Sequence, residues 1–169
     1  MARAGDRPRG GVGGTMEGLW ASFGIGFVAG LRSMTAGAAL AWAASLGRTR
    51  TDWIPAGPGP RGLATAAALA EMSGDKMPFA PDRRIAPSVL VRLALGAAGG
   101  AALAGRGASE TEGALAGMAG AVAGTWLGRA ARGGEPLSDG GWARGLAEDA
   151  VAAGLAAALV SSAMRRGRV

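Results

Sequence analysis

The sequence predicts an all-α, multi-pass transmembrane helical bundle, and three observations carry that reading. Of 169 residues, 41 are alanine and 32 glycine, so two small residue types fill 73 positions. Long stretches are almost free of charge: residues 19–46 contain a single charged side chain, Arg32. The 18 basic residues, all arginine except Lys76, gather at the chain ends and between the apolar stretches. Apolar blocks of near-spanning length with a basic fringe suit a bilayer with anionic headgroups.

The same composition excludes several function classes. Cysteine, histidine and tyrosine are absent. That removes disulfides, thiolate nucleophiles, iron–sulfur clusters, the usual zinc sites and histidine general bases, so no metal, cofactor or enzymatic activity is expected. Ser73 and Lys76 have the spacing of a Ser–Lys dyad, with nothing else to support it. The net charge of +6 invites a nucleic-acid reading, but three phenylalanines and five tryptophans do not interleave with the arginines as a stacking surface requires. No nucleic-acid partner is expected. The glycines at 24, 26 and 30 miss the dinucleotide fingerprint and follow no strand.

Taken in order, residues 1–15 are Gly/Arg-rich and aperiodic and read as a disordered basic leader, with Met16 an alternative start. Residues 16–164 form one transmembrane domain. The block 19–46 is too long for one crossing and short for two, and Gly30-Leu31-Arg32-Ser33-Met34-Thr35 divides it into a broken or re-entrant helix pair. A signal peptide with Ala41-Trp42-Ala43 as its cleavage site is the rival, opposed by Arg32 inside the apolar run. A Pro/Gly-rich connector, 47–61, carries Trp53-Ile54 as an interfacial anchor. Helices follow at 62–77, at 87–104 with Pro87 as the first helical residue, at 113–128 and at 142–164, giving four spanning helices after the broken pair. Residues 165–169 form a basic cytoplasmic tail.

Topology follows from basic-residue counts. An even arrangement puts both termini on one side with connectors 47–61 and 105–112, ten basic residues against six; a five-crossing arrangement divides them nine to seven. The even arrangement, with both ends cytoplasmic, satisfies the positive-inside rule. The two halves, 19–77 and 87–164, can also be aligned as a 3+3 inverted repeat, through Gly37-Ala38-Ala39-Leu40-Ala41 with Gly100-Ala101-Ala102-Leu103-Ala104 and Leu69-Ala70-Glu71 with Leu146-Ala147-Glu148. Chance repetition in so alanine-rich a chain gives similar matches.

Gly113, Gly117, Gly120, Gly124 and Gly128 fall within an arc of roughly 80° on one helix face. Such a strip lets another backbone approach closely, and Gly26 and Gly30 share the spacing; the strips are read as helix-packing faces, open also to a homo-oligomer. Arg32 must face protein or water within the membrane and have a partner. Beside a helix break, it joins the amides of the segment containing Ser33 and Thr35 as a place for a carboxylate or phosphate. Alternatively it pairs with Glu71 or Asp149 and fixes the bundle. Glu71 and Asp75 share a face, and Asp75-Lys76 reads as an interfacial ion pair. Of Glu148 and Asp149, about 100° apart, one is expected to face a shared partner. Arg92 is expected to snorkel to the interface.

Gly30-Leu31-Arg32-Ser33-Met34-Thr35 with Ala41-Trp42-Ala43 resembles the first signature of a family of small polytopic bacterial membrane proteins of unknown function. Ala70-Glu71, Asp75-Lys76-Met77-Pro78, Pro81, Arg83, Pro87 and Arg92 resemble its second block; Gly120, Gly124-Thr125, Gly128 and Glu148-Asp149-Ala150 resemble the remainder. The resemblance covers about residues 18–160 and implies a multi-pass bacterial inner-membrane protein, with no activity or substrate attached. The residues themselves support two functions. In one, Arg32, Ser33, Thr35, Glu71, Glu148 and Asp149 bind or move a small anionic solute or lipid headgroup. In the other, the chain is a non-transporting scaffold or assembly factor whose buried charges are structural.

Overall fold

A computed structural model describes residues 12–74, 86–105, 107–132 and 140–166. These form six α-helices and, among the described residues, no strand: α1 (Val12–Leu31), α2 (Ser33–Ser45), α3 (Pro58–Gly74), α4 (Ala86–Ala102), α5 (Glu110–Arg132) and α6 (Gly140–Arg166). The all-α expectation holds, and the first apolar block is divided at Arg32 as predicted. One boundary is corrected: α1 begins at Val12, inside the stretch 1–15 read as leader, because adding residues to an established helix is easy even when two are glycine. Residues 1–11 and 167–169 lie outside the described part, as do Asp75, Lys76, Pro78, Pro81 and Arg83.

Two caps fix helix ends. Ser109 and Glu112 form a reciprocal capping box at the start of α5: the Ser109 amide donates to Glu112 Oε2 at 2.7 Å and the Glu112 amide donates to Ser109 Oγ at 3.1 Å. This places the start of α5 ahead of the apolar run. At the end of α2, the Gly47 amide donates to Ala44 O at 2.9 Å and the Arg48 amide to Ala43 O at 2.9 Å, a Schellman motif. Gly47 sits at φ 64°, where a side chain would be strained.

Named contacts set the helix directions. Ser22 Oγ donates to Gly100 O at 2.7 Å and Arg92 Nη1 donates to Gly30 O at 2.5 Å, so α1 and α4 are antiparallel. Gly26 lies against Gly117 and Gly30 against Gly124, so α1 and α5 are parallel. Leu40 reaches Gly99 and the Arg50 amide bonds Ala102 O, so α2 runs with α4 and back along α1. Ser33 meets Glu71 and Trp42 meets Thr65, making α2 and α3 antiparallel. Arg32 meets Asp149 and Gly24 faces Leu159, so α6 opposes α1. All six helices therefore alternate. The start of α1 and the end of α6 share one end of the bundle with the α2–α3 and α4–α5 connectors. An arrangement with α1 and α2 as one crossing would make α1 parallel to α4 and is incompatible with these contacts.

The core is built from small residues. Ile25, Val28, Ala29, Ala36, Ala39, Leu40, Ile54, Ala102 and Ala156 form its apolar cluster. Ile54 is thus in the core, while its neighbour Trp53 is exposed, so only half of the expected Trp53-Ile54 anchor faces outward. Around this cluster backbones touch: a methyl at Gly26 or Gly96 would collide with the Gly117 carbonyl, and one at Gly113 with the Gly100 carbonyl. Gly120 and Gly124 receive the Phe23 and Phe27 backbone in the same way, and Gly128 is buried. Gly113, Gly117, Gly120 and Gly124 of the α5 arc therefore serve two neighbours, α4 and α1. These faces, which the sequence leaves open to a second copy, are filled within the chain.

Large apolar residues point outward, with Leu63 75% and Trp126 74% exposed and Trp20, Leu69, Leu90, Leu115 and Leu127 similar. Gly145–Ser162 is long and apolar enough to cross a membrane, whereas the apolar runs Leu19–Leu31 and Ser88–Ala102 are shorter. The two halves pack differently. α3 packs on α2 of its own half, while α6 lies on α1 and α2 and only marginally on α5.

Candidate functional site

The site begins with one residue out of helical register. The Arg32 amide still donates to Val28 O at 2.7 Å, closing α1, while Arg32 itself is extended (φ −144°, ψ 106°) and its carbonyl accepts the Ala36 amide. A single-residue reversal leaves carbonyls at the end of α1 and amides at the start of α2 without helical partners. Gly30 permits the tight approach to α5 that fixes where α1 stops, and Ser33 and Thr35 are residue types that favour helix starts over helix interiors.

Charged groups from other helices satisfy both ends. Glu71 of α3 accepts the Ser33 amide at 3.1 Å on Oε1 and the Met34 amide at 3.0 Å on Oε2. A carboxylate thus sits on the positive end of α2. Arg92 of α4 donates to Gly30 O, and Thr125 Oγ1 donates to the same carbonyl at 3.4 Å, so a guanidinium sits on the negative end of α1. The Arg32 side chain, 3% exposed, meets Asp149 of α6, Nη2 to Oδ1 at 2.6 Å. Glu148 is buried beside Asp149, and the buried Thr35 Oγ1 has no hydrogen-bond partner among the described residues.

Arg32, Ser33, Glu71 and Asp149 of the predicted set therefore meet directly. Thr35 lies in the first turn of α2 and Glu148 adjoins Asp149, so the whole set is buried or half-buried near one level. Three helices contribute: α2, α3 and α6. Arg92 departs from expectation. It is 6% exposed and turned inward, donating to the Gly30 carbonyl at the end of α1. Thr125 is a further contributor, hidden in the sequence within the glycine strip. Among the described residues no group of three carboxylates, histidines or cysteines could hold a metal ion.

The site lies inside the bundle. Arg92 is six residues into α4 and Asp149 nine into α6, so the α1–α2 turn stops about 9–13 Å short of the starts of those helices. Away from it, the exposed Glu112 carboxyl is held below its ordinary value by the Ser109 amide and then the Ser109 hydroxyl. No family model matches the chain, and no curated protein or solved structure does.

Proposed function

We propose that this chain is a multi-pass membrane protein with both termini cytoplasmic, four spanning helices and α1–α2 as a re-entrant pair, of the small bacterial inner-membrane type that its motifs resemble. Two features support the membrane reading. Many large apolar side chains lie on the outside while most buried apolar residues are alanine, unlike the usual water-soluble domain. The alternating helices also gather the connectors at 47–61 and 105–112 with both chain ends, the arrangement that agrees with the positive-inside count.

Within that frame the protein binds, and on this reading translocates, a small anionic solute at the α1–α2 break. The observation that carries this is that the Arg32 guanidinium and two α2 amides, all at the α1–α2 break, are each engaged by a carboxylate from another helix. The site's chemistry is thus carboxylate recognition, with Asp149 and Glu71 holding the places an incoming carboxylate or phosphate would take. Broken helices whose N-termini face anions are the usual construction of such sites in membranes.

A scaffold function is the second reading, favoured by the 2.6 Å Arg32–Asp149 contact, which by itself fixes α6 to the turn. A charge swap separates the two. The Arg32→Asp/Asp149→Arg variant keeps the pair but moves the cation from the α2 N-terminus. Acetate and inorganic phosphate are the probes, with thermal stabilisation of the purified chain as the readout. Anion binding predicts stabilisation of the native chain and none of a folded swap variant. Absence of stabilisation by either probe in the native chain, with the swap equally stable, supports the scaffold.

A further inference from the structure

A second group of arginines lies at the opposite level, at the end of the bundle that carries the starts of α1, α3 and α5. Arg61, in the first turn of α3, stacks over the Trp42 ring with its guanidinium carbon 4.8 Å from the centroid. Trp42 is held in turn, its Nε1 donating to Thr65 Oγ1 at 3.2 Å. Arg61 Nη1 reaches Ser45 Oγ only at 3.4 Å, a weak bond for a cation. Three residues beyond Ser45, the Schellman motif fixes the backbone of Arg48, whose side chain is half-buried. Arg48 Nε is buried and has no hydrogen-bond partner among the described residues. Arg48 and Arg61 thus flank the α2–α3 connector, and one buried Arg48 donor has no acceptor among the described residues.

The neighbours sharpen the contrast. Arg50 is committed: Nη1 donates to Ala108 O at 2.6 Å and Gly105 O at 3.4 Å, and Nε lies 3.9 Å from Glu110. Asp52, in the same connector, is exposed. Trp42, Trp53 and Trp20 are exposed at this end, the position of a headgroup-level aromatic belt.

We infer that Arg48 and Arg61, backed by Trp42, bind the phosphodiester of an anionic phospholipid at the cytoplasmic end of the bundle. This rests on the membrane reading above and is independent of anion binding at Arg32. The guanidinium held over the indole presents to phosphate the donors that the weak Ser45 bond leaves available. The half-buried Arg48 adds a second cation beside the connector, and the exposed tryptophans lie along the glycerol and upper acyl chains.

The test is native mass spectrometry of the full chain in a neutral detergent, with phosphatidylglycerol and phosphatidylcholine supplied in equal amounts. The native chain should retain phosphatidylglycerol preferentially. The Arg48→Gln/Arg61→Gln variant should lose that preference by roughly tenfold or more, and Arg129→Gln, an exposed arginine at the other end, should keep it. Arg48→Gln alone, which removes no described side-chain hydrogen bond, serves if the double variant fails to fold. Equal preference in native and variant chains overturns the assignment, as does equal loss with Arg129→Gln. Full competition by soluble glycerol phosphate overturns the lipid as source. A chain that stays monodisperse in water without detergent overturns the membrane reading instead, so the two failures are distinguishable.

Discussion

Asp149 of α6 lies 2.6 Å from the Arg32 guanidinium at the turn between α1 and α2, with both side chains at least nine-tenths buried. The last helix of the chain is thereby bound to a break in the first apolar block. Removing one partner strands the other. Arg32→Gln or Asp149→Asn is expected to cost about 3–5 kcal/mol, while Arg32→Met/Asp149→Leu recovers most of the loss. Denaturant unfolding in detergent measures both; equal damage in single and double variants would contradict the pairing.

Glu71 carries a separate term. Glu71→Ala removes the carboxylate from two α2 amides and is expected to cost about 1–2 kcal/mol, with Glu71→Gln intermediate because its carbonyl can accept one of them. Amide hydrogen exchange should rise selectively at Ser33 and Met34. Unchanged exchange there would remove Glu71 as the cap.

Glycine substitutions should divide sharply by location. Gly117→Ala drives a methyl into the Gly96 carbonyl and should prevent stable folding, whereas Gly154, with open space around its Cα, should accept alanine with a gain of about 0.5–1 kcal/mol. Thermal melts of the two variants decide; similar melts would mean the α4–α5 contact is looser than described.

The α5 cap gives a pH dependence. Ser109→Ala should cost about 1 kcal/mol. The Glu112 carboxyl is held low in the folded chain, so its stabilisation is complete above the unfolded carboxyl pKa and is lost as pH falls through the lower folded value. The stability difference between native chain and Glu112→Gln should therefore shrink as pH drops through the acidic range. A difference constant with pH would refute the cap's electrostatic part.

Much of this was readable from residue order. The break at Arg32 follows from a lone charge flanked by glycine, serine and threonine, and the α5 glycine arc follows from helix geometry alone. Neighbours were not readable. Spacing along α5 cannot say that Gly113 and Gly117 meet α4 while Gly120 and Gly124 meet α1. Nor does sequence decide between Glu71 and Asp149 as the partner of Arg32, since both lie on helices able to reach it; the reversal at one extended residue decides, by aiming the amides at α3 and the guanidinium at α6. Arg92 sits where an arginine equally snorkels or turns inward, and its bond to the Gly30 carbonyl is visible only in the fold. The Ser109-x-x-Glu112 spacing is legible, although the apolar run taken alone places the start of α5 at residue 113.

The order of synthesis gives the Arg32–Asp149 contact a temporal meaning. Arg32 leaves the ribosome early, whereas Asp149 arrives only with α6, the one described helix long and apolar enough to cross a membrane. The contact therefore closes only when the C-terminal helix is complete, and chains truncated before α6 lack it.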